Sequence, residues 1–325
     1  MKYLDSKSLL TGVLAGITAA LLVLGASVQL SFAAFLYAAS AMPVLIVGLG
    51  WGVPAAVVAI ITAAAVGAAS ISPMFALAMT LVTLAPAGWL SHLANLARPA
   101  SELGGPDHLL AWYPLSDILM HLCALVTVSV IIIGFMIGYG PDLTNQIVDA
   151  MMAAMQTQEP ALTVDALAVE QTKRLLVLVL PMTQGALWVI LLFAAYYLAA
   201  RIVTASGRNF RPREDMPSTL RMNRNAIFIF LGGLLACFSG GVPAMIGAVV
   251  CGTFGAGFLL AGFAALHYRS RGKSWRVPAL VLAYLSATMA IPAFFILVLG
   301  LVDTRRAIAL TPVKKPENAS STTNT

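Results

Sequence analysis

From Ser8 to Ala97 the chain carries no Asp, Glu, Lys or Arg. No other feature constrains it more. A helix crosses a bilayer core of about 30 Å with roughly 20 apolar residues, so this stretch alone is long enough for about four crossings. Backbone polar groups must be satisfied inside lipid, which leaves helices or a closed barrel. The alternation over about ten residues that marks barrel strands is absent, and helices remain. Composition agrees. The 325 residues are 60% hydrophobic and 10% charged, against about 25% charged in an average soluble domain. The expected fold is all-α, a polytopic transmembrane bundle of eight or nine spans.

Turn chemistry divides the apolar sequence into nine candidate spans: 8–28, 32–49, 52–70, 74–97, 117–139, 174–200, 225–239, 242–267 and 276–302. Gly48, Gly50, Gly52 and Pro54 separate the second from the third, and Ser70, Ser72 and Pro73 the third from the fourth. The seventh is short before Ser239-Gly240-Gly241 and suits a tilted or re-entrant segment. Lys2 and Lys7 before the first apolar run resemble the start of a signal peptide. The run continues into further apolar sequence, so an uncleaved first span is expected.

The formal net charge of +6 lies in short segments between apolar runs, where topology determinants fall, and carries no nucleic-acid signature. With the N-terminus cytoplasmic, 13 Lys and Arg fall inside and 6 outside. Four of the six exceptions, Arg305, Arg306, Lys314 and Lys315, lie in the C-terminal tail, so the span count near that end is open by one. Two segments leave the membrane core of the single domain, 1–310. Residues 140–172 carry five acids, and Leu143, Ile147, Val148, Met151, Met152 and Met155 at helical spacing predict an amphipathic extracytoplasmic helix, stopped at Glu159-Pro160. Residues 201–224 read as a basic cytoplasmic loop. The tail, 311–325, is Ser/Thr/Asn-rich and is expected to be disordered.

The polar groups near the spans are few. His92 and Asn95 share a face near the end of span four. Asp117 and His121 share one at the start of span five. Ionisable groups at spans usually face a bundle interior or a cavity. A carboxylate beside two imidazoles suits a cation, a proton relay or a polar ligand. The alternative is local: Ser116 or Asp117 as the N-cap after Pro114, with His121 one turn on. Gln184, after Pro181, is either a mid-membrane ligand contact or an interhelical hydrogen bond. Gly12 and Gly16, with Ala15 and Ala19, form a small-residue face on the first span, suited to internal packing or to docking on another membrane protein.

No metal site is expected. His92-Asn95 and Asp117-His121 match no zinc spacing. Cys123, Cys237 and Cys251 fall in spans without CxxC spacing, and the Met151, Met152 and Met155 face reads as packing. Gly48–Gly52 lacks the Gly-Lys-Ser/Thr ending of a phosphate loop. No nucleophile–base motif or dinucleotide fingerprint occurs, so neither catalytic residues nor a cofactor is expected.

Leu36-Tyr-Ala-Ala-Ser-Ala-Met-Pro43 through Gly48-Leu-Gly-Trp-Gly52, Thr83-Leu-Ala-Pro-Ala-Gly-Trp-Leu90, Trp112-Tyr-Pro-Leu-Ser-Asp117 and Gly134-Phe-Met-Ile-Gly-Tyr-Gly140 resemble the YybS-like family of bacterial membrane proteins, over about residues 8–305. That family has no assigned biochemical role. It is distantly similar to the S components of energy-coupling-factor transporters, which capture vitamins or metal ions and dock on a membrane coupling subunit carrying ATPases. The resemblance implies a transport-related, small-ligand-binding protein of a bacterial inner membrane, with a coupling subunit and an ATPase as partners. In S components an alanine-spaced face on the first helix contributes to docking, and Ala15 and Ala19 match that spacing. The chain is longer, with more spans than S components have, and no vitamin-binding loop carries over. The competing expectation is a membrane scaffold or cell-envelope assembly factor without a ligand, using the Arg-rich loop or the acidic outer helix as its partner surface.

Overall fold

The computed structural model describes residues 5–158, 165–305 and 308–312. The fold is a helical bundle with one small sheet at an end. The first helix, α1 (Ser6–Val28), is capped by Asp5, whose carboxylate accepts from the Lys7 amide. The second span is two helices, α2 (Ala33–Ala39) and α3 (Ala41–Trp51), separated at Ser40. Pro43 has no amide hydrogen to offer the Ala39 carbonyl, so the helical ladder lapses there. Gly52, at φ +91°, turns the chain into α4 (Val53–Ser70). The fourth span is α5 (Pro73–Met79), a π-helical segment over Thr80–Leu84, and α6 (Ala85–Ala94). Pro86 interrupts the ladder at that point. Ser129 reaches across and donates to the Leu81 carbonyl at 2.6 Å, satisfying a group inside the irregular segment.

A short excursion follows: β1 (Ala97–Pro99) and β2 (Leu109–Trp112), paired antiparallel. Next come α7 (Leu115–Ile137), α8 (Pro141–Gln158) and the 40-residue α9 (Ala166–Ala205). At 1.5 Å per residue, α9 is about 60 Å long, twice a bilayer core. Its first turns project beyond the apolar layer, where α8 packs on them and Lys173 meets Asp149 at 2.8 Å. A helix stands where the sequence predicts one, with Val148 of its apolar face buried and Ile147, Met151 and Met155 exposed; Glu159-Pro160 lie outside the described residues. The chain continues through α10 (Met216–Thr219), α11 (Asn225–Ala236), α12 (Gly241–Arg269), α13 (Arg276–Ser286), α14 (Ala290–Val302) and β3 (Leu310–Pro312).

Seven helical segments among the described residues are long and apolar enough to cross a membrane, which makes this a multi-pass membrane protein. The core is the α9–α12 contact, with α7 against both. It depends on glycine. A Cβ on Gly252 would fall 2.0 Å from the Met182 carbonyl oxygen, and one on Gly185 2.8 Å from the Thr253 methyl. The Thr127 and Thr253 hydroxyls, 2.6 Å apart, bridge α7 and α12 within this core. The N-terminal half joins it through α3, which lies on α9.

Two of the nine expected spans take other forms. The 225–239 segment is α11, 12 residues and about 18 Å, short of a bilayer core. The 276–302 segment is not one helix: the chain bends by 118° between α13 and α14. Asp303 stands 4.0 Å from Arg269, and the 270–275 turn joins Arg269 to α13, so both outer ends of the bent pair lie at the C-terminal end of α12. Thr311, expected in the disordered tail, is in β3, which pairs with β2, and the Trp112 indole donates to its hydroxyl at 2.9 Å.

These contacts sort the charges. Gly12 and Gly16 lie against the Ala55 and Ala59 carbonyls, so α1 and α4 run parallel and both start at one end. The same end holds β1–β2–β3, Arg208 over the Trp51 ring at 4.7 Å, Arg221 beside Asp303, and the C-terminus of α12. The opposite end carries Asp142, Asp149, Asp165 and Glu170, with Lys173 and Arg174 bound among them. The molecule has a basic end and an acidic end.

Candidate functional site

The sequence points to four residues as one polar cluster, and the structure divides them. Asn95 ends α6 and donates from Nδ2 to the Gly48 carbonyl at 2.9 Å. The same carbonyl accepts the Gly52 amide that caps α3, so Asn95 adds a second hydrogen bond at that helix end. Asp117 is buried in the first turn of α7, where the helix dipole favours its charge. The N-cap position is Pro114, so the expectation of a Ser116 or Asp117 cap does not hold. The Asp117 carboxylate accepts from Asn223 Nδ2 at 2.6 Å, fastening the end of the basic segment to α7.

His121 lies one turn further along α7. Its Nδ1 lies 2.8 Å from the Asp117 backbone carbonyl. Its ring joins an aromatic group with Tyr113 at 6.0 Å and Trp89 at 6.5 Å, and His92 lies 5.6 Å from the same Trp89. The two imidazoles therefore flank one indole, both half-buried. Among the described residues no three His, Cys, Asp or Glu side chains gather as a metal set. Gln184 sits half-buried on α9 about 18 Å along the axis from Tyr196 and belongs to neither group. Gly12, Ala15, Gly16 and Ala19 are all buried, with the two glycines against α4. A Cβ on Gly16 would meet the Ala59 carbonyl oxygen at 2.6 Å, so this face is used in internal packing and is closed to a partner.

The concave site lies elsewhere at the basic end. A cavity of about 340 Å³ opens between the last two turns of α9 and the 209–217 segment that folds back over them. Its size falls at the lower end of small-molecule sites. Leu49, Ala94 and Leu115 close one side, and Tyr196, Ala200 and Val203 of α9 form the other. Asn95 is the only member of the expected cluster on its wall.

The covering segment is held by buried charge. Arg211 pairs with Glu214, both side chains about nine-tenths buried. The same guanidinium donates from Nη1 to the Tyr113 carbonyl at 2.8 Å, fixing the segment to the start of α7. Asn209 Nδ2 donates to the Arg211 carbonyl at 2.8 Å and shapes the turn. Asp215 pairs with Arg271 at 2.6 Å, and this contact, with the Ser218 hydrogen bond, holds the Asp215 carboxyl below its ordinary range. Arg221 donates from Nε to Asp303 at 2.8 Å; its burial lowers the guanidinium pKa from an ordinary value far above neutrality. One signal in the sequence pointed here: the acids Glu214 and Asp215 inside a basic run, between Pro212 and Pro217, with Glu214 three residues after Arg211. Charges alone suggested a solvated loop.

Comparison of the chain with protein-family models, with curated proteins and with solved structures finds no match.

Proposed function

We propose that this multi-pass protein sits in a bacterial inner membrane with its N-terminus and basic end cytoplasmic, binds a small ligand at that end, and works in transport with a partner supplying the energy. The observation that carries the reading is the cavity between α9 and the 209–217 segment, partly apolar and ringed by guanidinium groups. Orientation follows from charge. Lys and Arg concentrate on the cytoplasmic side of membrane proteins. The return of α14 to the basic end brings Arg305 to that side, beside the Ser218 carbonyl at 3.3 Å. The two cations at the other end, Lys173 and Arg174, are each paired with an acid.

The YybS-like resemblance points the same way, and with it a membrane coupling subunit and an ATPase as partners. Because the first-helix face is internal, such a partner would need a surface other than Ala15 and Ala19. The scaffold reading takes the Arg-rich loop or the acidic outer helix as its partner surface. Arg208, Arg211 and Arg221 are engaged within the chain, which leaves fewer arginines of the loop for a partner.

The test is purification of the full chain from native membranes in mild detergent, followed by native mass spectrometry. A bound small molecule should appear on the wild type and be lost from Ala200→Trp, which fills the cavity. A wild type free of any small molecule, on a folded protein, overturns the reading.

A further inference from the structure

The cavity has two chemically different parts. Its inner wall is apolar, from Leu49, Ala94, Leu115 and Val203. Tyr196 belongs to this wall. It is 3% exposed, and its hydroxyl has no hydrogen-bond partner among the described residues. Tyr196 lines the cavity, and its hydroxyl offers an occupant one hydrogen bond. The rim is different. Arg211 and Glu214 neutralise each other, and Asp215 is paired with Arg271, which lies off the wall. The uncancelled charges on the lining are Arg201 and Arg213. Both are exposed at the mouth. Arg213 has no ion pair or hydrogen bond among the described residues. Arg201 makes a single 3.2 Å hydrogen bond, to the Tyr197 hydroxyl.

We infer that the occupant is an anionic amphiphile: a short apolar body against the inner wall, with a carboxylate or phosphate between Arg201 and Arg213. This rests on the cavity being a ligand site. A cation would face two unpaired arginines. A polyhydroxylated neutral molecule would lose hydration against Leu49, Ala94, Leu115 and Val203 and leave the two arginines without a counter-charge. The guanidinium fork matches the oxygens of carboxylate and phosphate. The position agrees, since α9 ends at the basic end of the bundle, where the arginines gather. The amphiphile reaches the mouth from the bilayer or from water, and the chemistry of recognition is the same.

The experiment uses the full chain in neutral maltoside detergent, titrated with dodecyl phosphate and, separately, with inorganic phosphate. Dodecyl phosphate should bind once per chain, and inorganic phosphate at least about a hundredfold more weakly, because it cannot use the inner wall. The Arg201→Gln/Arg213→Gln double variant changes only exposed side chains and should fold. It should bind dodecyl phosphate at least about tenfold more weakly. Competition by phosphatidylglycerol in phosphatidylcholine nanodiscs supports a bilayer source, and its absence a water-side source; both keep the ligand class. Equal binding by the double variant overturns the inference, as does inorganic phosphate binding as tightly as dodecyl phosphate. A native ligand that is lost from Ala200→Trp but proves neutral or cationic overturns the anionic class and leaves the cavity reading standing. A wild type that carries no native ligand and ignores dodecyl phosphate sinks both.

Discussion

The Arg221 guanidinium, wholly buried, donates from Nε to the carboxylate of Asp303 at 2.8 Å. This contact ties the end of α14 to the segment before α11. It also accounts for the course of the last bent helical pair, because Asp303 is the group that charge draws back to the basic end. Nη1 of the same arginine donates to the Pro217 and Leu220 carbonyls, at 3.0 and 2.7 Å.

Removing one partner of a buried pair leaves a charge without compensation, at a cost of about 3–5 kcal/mol. Asp303 is one-fifth exposed, so the lower part of that range applies. Asp303→Ala should lower stability by about 3 kcal/mol, read as a fall in Tm in detergent, and Asp303→Glu should recover part of it. An unchanged Tm for Asp303→Ala would mean that water compensates Arg221.

The return of α14 predicts sidedness. In a cysteine-free background, Arg98→Cys and Arg305→Cys should react with a membrane-impermeant maleimide from the same side, and Asp149→Cys from the other. Labelling of Arg98→Cys and Arg305→Cys from opposite faces would make α13–α14 a crossing.

The α12–α14 contact should tolerate no side chain at its closest points. A Cβ on Gly300 would sit 1.9 Å from the Phe258 carbonyl oxygen, while a Cβ on Gly232 meets nothing within 4 Å. Gly300→Ala must push helix backbones apart and should cost more than about 2 kcal/mol. Gly232→Ala should be neutral or slightly stabilising, since alanine favours the helix. Equal thermal stability of the two variants would contradict the packing.

Asp117 should matter for stability and not for the ligand. Its carboxylate holds Asn223 and is absent from the cavity wall. Asp117→Ala leaves that amide without this acceptor and should cost about 1–3 kcal/mol. Dodecyl phosphate affinity should stay within about twofold. A large loss of affinity on a folded variant would return the site to the His92–His121 region.

Asp215 gives the pH dependence a sign. Its folded pKa is depressed, so its contribution is present above the unfolded value near 4 and is lost as pH falls through the lower folded value. Arg271 is raised and stays protonated throughout. The hold of Arg271 on the covering segment should be constant from about pH 5 to 8 and weaken only below about pH 4. Proteolysis at the 209–217 segment, compared between wild type and Asp215→Asn, reads this directly. A difference that vanishes at pH 6 would contradict it.

Much of the architecture was legible in order. Uncharged length alone requires membrane helices, and Gly52, Ser72-Pro73 and Gly240-Gly241 mark real turns, because a turn needs local chemistry. The amphipathic α8 was readable from periodicity, since one face must find apolar company. The site was less legible. Asn95 does lie on the cavity wall, yet its amide is taken by the end of α3, and Asp117 and His121 sit one turn apart with Asn223 on the carboxylate and the Asp117 backbone carbonyl on the imidazole.

The sequence by itself determined that this chain lives in lipid as helices, because that follows from transfer free energies that add residue by residue. Only the tertiary structure decided that 276–302 turns back, that Leu310–Pro312 adds a strand to a hairpin about 200 residues earlier, and that the basic segment covers a cavity. A re-entrant pair and a crossing helix have the same hydropathy, and an arginine reads alike whether solvated or buried. The difference lies in partners distant along the chain: Asp303 for Arg221, Tyr113 for Arg211, and Phe258 against Gly300.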